Sequence, residues 1–180
     1  MSLLIRQLLP TDRPAYRRVR LEALRDFPES FGSSYEEQSQ LPALPFEEHL
    51  AGGASPAFML GAFDGNELVG ICAFVPETRL KNRHWGELHQ VYVRPSHAGR
   101  GLGRRLVQAT VEKAFARPEI EQITLGVTAS NAAANKLYER LGFREYGLLE
   151  NYLRVGGHSL AQRFMVLTRP AAADKATASV

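Results

Sequence analysis

A chain of 180 residues, 44% hydrophobic and 23% charged, has an ordinary globular make-up and enough length for one domain with a sizeable core. Its single cysteine, Cys72, excludes an internal disulfide framework and any multi-cysteine metal site, and the five histidines show no metal-ligand spacing. No apolar stretch is long enough for a bilayer span or a secretory leader, so a cytoplasmic setting without membrane contact is expected, and a net charge of +3 is too small to point to nucleic acid.

In chain order, Ile5 to Leu8 reads as a short strand ending at Pro10-Thr11-Asp12. A helix follows from about Pro14 to Arg25, with Val19, Leu21 and Leu24 as apolar positions and arginines on the remaining faces. Pro28, Pro42 and Pro45 interrupt Phe27 to Leu50, leaving room for short helices at Ser33 to Gln40 or Phe46 to Leu50. The apolar runs Ala57 to Phe63 and Glu67 to Phe74 flank Asp64-Gly65-Asn66, a hairpin signal. Glu87 to Val93 is the next strand, Leu102 to Ala116 an amphipathic helix, and Ile120 to Val127 a further strand. Ala132 to Leu141 is a helix closed by Gly142. Tyr146 to Val155 and Ser159 to Leu167 form a final hairpin around Gly156-Gly157. The expected organisation is a single domain over residues 1–169 and a disordered tail over 170–180. Early hairpins, a central βαβ unit and a terminal hairpin make a mixed sheet rather than a doubly wound one.

The most informative stretch joins the third long strand to its helix. Gly99, Gly101 and Gly103 alternate there, and glycine allows both positive φ and close approach to the main chain. Successive amides at a helix start suit an anion such as a pyrophosphate. Between Arg79 and Arg105 seven basic residues face one acid, Glu87, so positive charge gathers around this turn. A solvated basic face and a tight turn without a ligand are the plainer readings of the same residues. The turn is not a Walker loop, because Arg104-Arg105 stand where Lys-Ser/Thr is required. It is not a dinucleotide fingerprint either, because Leu106 holds the third-glycine position. Nucleic-acid binding through the same cluster lacks interleaved aromatics.

A second block, Asn131-x-x-Ala134-x-x-Leu137-Tyr138-x-x-x-Gly142-Phe143, begins at a strand end and runs into a helix. With both blocks in this order, the chain from about Ile5 to Leu167 resembles the GCN5-related N-acetyltransferases, the GNAT superfamily. That resemblance implies an α/β fold of the α+β type: a central mixed, mostly antiparallel twisted sheet of about six to seven strands flanked by helices. It also implies transfer of an acetyl group from acetyl-CoA to a primary amine of a small molecule or peptide, without a metal, in a protein that is often a homodimer. A CoA-binding or regulatory module with little transferase activity is the alternative. One departure is plain: Ala98 stands where the family has Gln or Arg, three residues before Gly101. Arg100 or Arg104 can supply the missing charge.

The resemblance assigns roles residue by residue. Val91, Tyr92 and Val93 would offer main-chain contacts to the pantetheine arm, and Gly99, Arg100, Gly101, Leu102, Gly103 and Arg104 would hold the pyrophosphate. Asn131 would contact the same ligand, or cap its helix, or both. Tyr138 would give a proton or hydrogen bond to the departing thiolate; its alternative is plain aromatic packing. For the base, Glu87 is the first choice, because it aligns with the glutamate of histone-acetylating relatives, and His89 the second. Both share strand parity with Val91 and Val93, so they face the ligand side if no bulge intervenes. Solvated or structural roles remain open for each. Phe31, Tyr35, Tyr146 and Tyr152 are candidate walls for the acceptor, or ordinary packing.

Overall fold

The computed structural model describes residues 3–50 and 55–170. The expected tail falls on residues 171–180, outside the described residues. Seven strands form one sheet in the order β1-β2-β3-β4-β5-β7-β6. They are β1 (Leu3–Gln7), β2 (Phe58–Asp64), β3 (Glu67–Pro76), β4 (Trp85–Val93), β5 (Gln122–Thr128), β6 (Arg144–Val155) and β7 (His158–Thr168). Five helices accompany them: α1 (Arg13–Asp26), α2 (Tyr35–Ser39), α3 (Pro45–Leu50), α4 (Leu102–Phe115) and α5 (Ala132–Arg140). β4 and β5 run parallel, joined by α4; the remaining neighbours are antiparallel. The expected mixed, mostly antiparallel sheet is therefore what the chain forms.

Side-chain alternation along the strands divides the core between the two faces. Leu60, Phe74, Leu88, Ile123, Leu125 and Met165 join Leu102, Leu106 and Val107 of α4 on one side. Met59, Phe63, Ile71 and Ala73 join Tyr16, Val19 and Ala23 of α1 and Phe46 of α3 on the other. The hairpin between β2 and β3 turns at Gly65, whose φ of 57° is one that β-branched residues avoid.

One expectation about α1 fails. Arginines do not confine themselves to its outer faces: Arg20 is 4% exposed and lies on the stripe of Tyr16 and Leu24, one turn away in either direction.

The entry to α1 is held by a charged clasp. Arg6 donates from Nη1 and Nη2 to Asp12 at 2.7 and 2.9 Å, and the amide of Leu9 donates to Asp12 Oδ2 at 2.7 Å. The Arg6 guanidinium, with help from the Leu9 amide, holds the Asp12 carboxyl below its usual range. A depressed folded pKa adds stability above the unfolded value of about 3.9, which is lost as pH falls through the folded one. Asp12→Asn is expected to cost about 1 kcal/mol at pH 7. In paired thermal melts the gap to wild type should stay constant above about pH 5 and close in acid.

Candidate functional site

The site begins with an irregularity in β4. Ala73 pairs with His89 but Ile71 pairs with Tyr92, so Cys72 alone faces both Gln90 and Val91. Gln90 adopts φ 54°, a left-handed conformation that costs a non-glycine residue about 1–2 kcal/mol. The Tyr16 hydroxyl donates to Gln90 Oε1 at 2.9 Å and fixes the bulge from α1. The bulge reverses side-chain parity. Leu88, Val91 and Val93 all pack on the α4 side, whereas Tyr92 turns to the α1 side and donates to Glu22 at 2.9 Å. Glu87 and His89 therefore lie on the face opposite Val91 and Val93. The expectation that all four share one face is corrected by the bulge.

β4 and β5 separate just before the bulge. Their parallel ladder consists of Trp85 with Gln122, Gly86 with Ile123 and Glu87 with Thr124. Past Glu87 the edge of β4 that faces β5 has no strand partner among the described residues, while β5 stays paired with β7 as far as Thr128. A cleft of about 410 Å³ opens in this wedge. It brings together Glu87, His89, Val91, Asn131 and Tyr138, five of the residues singled out from the sequence. Phe31 and Tyr152 are also in its wall. Tyr35 instead lines a neighbouring hollow of about 450 Å³, and Tyr146 lies exposed against Phe164.

Tyr138 is 6% exposed and meets Phe143 edge-on, with ring centroids 5.8 Å apart. Gly142, at φ 92°, turns the chain so that Phe143 reaches it, and the Phe143 amide donates to the Tyr138 carbonyl at 3.0 Å. Burial pushes the phenol well above its ordinary value, so the hydroxyl stays protonated at physiological pH. Glu87 Oε2 and His89 Nε2 stand 3.6 Å apart, both partly exposed to the cleft.

Asn131 caps α5: its side chain accepts from the Ala134 amide at 3.1 Å. The sequence reading passed over Asn135, one turn further on. It is 5% exposed, and its Nδ2 donates to the carbonyls of Thr128, Ala129 and Asn131 at 3.2, 3.3 and 2.8 Å. Arg163 Nη1 donates to its Oδ1 at 2.6 Å. This one amide ties the end of β5 to α5 and so positions Asn131 and Tyr138. Its signal was a polar residue on the same helical stripe as Tyr138, three positions before it.

At the far end of the wedge the glycine-rich turn enters α4. Gly99 and Gly101 have φ of 77° and 72°, and a Cβ at either would meet nothing within 4 Å. Backbone conformation, not crowding, demands glycine there. The first helical bond runs from the Arg105 amide to the Gly101 carbonyl at 3.0 Å, and no side chain caps the helix. The amides of Leu102, Gly103 and Arg104 thus precede the helical ladder and are left to accept an anion. Arg100 and Arg104 are exposed beside them. Arg94, by contrast, is committed to Glu22 and Glu67. A free strand edge leading to a row of amides fits a long ligand with an extended, amide-bearing arm and a pyrophosphate.

Arg20 also faces the cleft, and it too escaped the sequence reading. Its Nε and Nη1 are buried without a hydrogen-bond partner among the described residues. The Phe31 ring, 4.9 Å from the guanidinium carbon, is the cation–π contact it makes. Burial pushes the guanidinium down to about 10, so it remains a cation near neutrality. A buried charge lacking its hydrogen bonds costs a fold several kcal/mol.

A family model described as the acetyltransferase (GNAT) family matches residues 16–143. The N-alpha-acetyltransferase RimI of Mycobacterium tuberculosis is 37% identical over 98 residues, covering 54% of this chain and 59% of that protein, so the chain spans little more than half the length of that relative. The spermidine N(1)-acetyltransferase of Vibrio cholerae is 27% identical over 138 residues, covering 76% of this chain and 77% of that protein. Among solved structures, an acetyltransferase of the GNAT family from Streptococcus pneumoniae superposes with a TM-score of 0.80 at 26% identity, covering 93% of this chain and all of that one.

Proposed function

The chain belongs to the acetyltransferase (GNAT) family, and from that membership we propose that it transfers an acetyl group from acetyl-CoA to the amine of a small molecule or peptide. The observation that carries this reading is the wedge between β4 and β5, with helix-start amides at one end and Tyr138 and Glu87 in the same cleft. When bound, acetyl-CoA supplies the activated thioester and a sulfur leaving group. The unpartnered edge of Val91 to Val93 would align its pantetheine arm, and the amides of Gly101 to Arg104 its pyrophosphate. Ala98 is exposed and offers no polar side chain, so Arg100 and Arg104 would carry the charge. Glu87, with His89 beside it, takes the proton that the amine must lose before attack. Tyr138, in the same cleft, would donate a hydrogen bond to the departing sulfur. The amine attacks directly, held within the cleft so that reaction is effectively unimolecular. The names of the two relatives, one for an N-alpha amine and one for spermidine, support an amine acceptor and leave its identity open.

Release of free thiol from acetyl-CoA across a panel of amines and peptides tests the reading. Thermal melts with CoA, ATP and NAD give its first half: CoA at about a hundred times its dissociation constant should add about 2.7 kcal/mol of stability. A shift with ATP and none with CoA would overturn the ligand assignment. A CoA shift with no thiol release from any acceptor would favour a binding module instead. Gly101→Ala is expected to destabilise the protein by about 1–2 kcal/mol, because it forces a side chain into the left-handed region. Isothermal titration should show acetyl-CoA bound several-fold more weakly, since the first helical amides are re-aimed.

A further inference from the structure

Arg20 is the one group in the cleft whose cost the fold does not recover. Its neighbours on the same side are satisfied by the protein: Arg17 donates to the carbonyls of Leu41 and Pro42, and Glu47 accepts from the Leu44 amide at 3.1 Å and stands 3.5 Å from Arg17. Glu47 is thus engaged by other partners, and Arg20 keeps two buried N–H groups free of hydrogen bonds while its side chain lines the cleft. Phe31 holds the guanidinium plane from one side without using those donors. A planar, desolvated guanidinium with free N–H donors is the complement of a carboxylate.

We propose that the acceptor is an amine that also carries a carboxylate, and that Arg20 receives this carboxylate in the cleft. The inference rests on the acetyltransferase reading and names its acceptor class. Charge on the two walls agrees with it. The lining holds the Glu87 carboxylate, suited to the incoming amine, and the Arg20 guanidinium, suited to the acid. Amino acids, with the two groups a few bonds apart, are the simplest members of this class. Ser30, Phe31 and Ser33 line the same cleft.

The test is thiol release by the full chain at saturating acetyl-CoA, using L-amino acids, β-alanine and 4-aminobutyrate against the corresponding carboxamides. At least one acid should exceed its amide by about 10²-fold or more in kcat/KM, because the amide leaves a buried cation unpaired. Arg20→Met should bring the two within a few-fold of each other by raising KM for the acid, with the acetyl-CoA dissociation constant unchanged. Arg20→Lys, which keeps the charge and loses the fork, should recover part of the preference and guards against a folding defect. Calorimetry of the acids and amides on the CoA complex gives a readout independent of turnover. Arg20-dependent binding of acids without any thiol release would uphold the carboxylate site and overturn the transferase reading. Thiol release from amides as fast as from acids, or a preference that survives in folded Arg20→Met, would overturn the carboxylate site and leave the transferase reading standing. Neither binding nor release would overturn both.

Discussion

Tyr138→Phe should lower kcat by about 10²–10⁴-fold while leaving KM for acetyl-CoA and the fold nearly unchanged. The ring is what packs: it is 6% exposed and set edge-on against Phe143, and phenylalanine keeps both the volume and the contact. What disappears is the hydroxyl. Burial raises its pKa above the ordinary phenol value, so near neutrality it is a neutral donor. A phenol that stays protonated is poorly suited to be a base and well suited to donate a hydrogen bond to a departing sulfur, whose ordinary pKa of about 8.5 is already low enough for it to leave as thiolate. Single-turnover rates separate this role from packing. A defect confined to the transfer step, with a melting temperature near that of wild type, is the expected pattern. Turnover that survives undiminished would return Tyr138 to the core as an ordinary aromatic.

Much of this arrangement was legible because it rests on local rules. Apolar runs marked the strands, Asp64-Gly65-Asn66 and Gly156-Gly157 marked the hairpins, and Gly142 closed α5, each within a few residues of where the structure has it. The amide-lined turn was legible for the same reason, since glycine at positive φ leaves a mark in sequence. Three features were missed, and all three depend on tertiary contacts. The bulge at Gln90 has no glycine to announce it; it is imposed by Tyr16, 74 positions earlier, through a side-chain hydrogen bond. Arg20 read as one of the outward-facing arginines of its helix and Asn135 was passed over, because composition does not say which polar residue a helix turns inward. Both sat on the buried stripe of their helices, and both prove to be polar groups that the site needs: one ties β5 to α5, the other faces the cleft with its donors free.

The bulge also decides what to expect of the base. Because it turns Glu87 and His89 away from the face of Val91, the pair lines the cleft from the face of β4 that is turned toward α1. An amine of ordinary pKa about 10.4 is almost wholly protonated at pH 7 and cannot attack until that proton is removed. Glu87→Gln is therefore expected to lower kcat/KM by about 10²–10⁴-fold near neutrality. The loss should shrink as pH rises toward 10, since each pH unit gives about ten times more free amine without help from the protein. His89→Gln should cost less. Because Glu87 Oε2 and His89 Nε2 are 3.6 Å apart and serve one proton, the double variant should be little worse than Glu87→Gln alone. A weakly basic acceptor, already unprotonated at pH 7, separates proton removal from mere positioning. It should be acetylated by Glu87→Gln at nearly the wild-type rate. An equal loss with both kinds of amine, flat across pH, would mean that Glu87 orients the acceptor and that another group removes the proton.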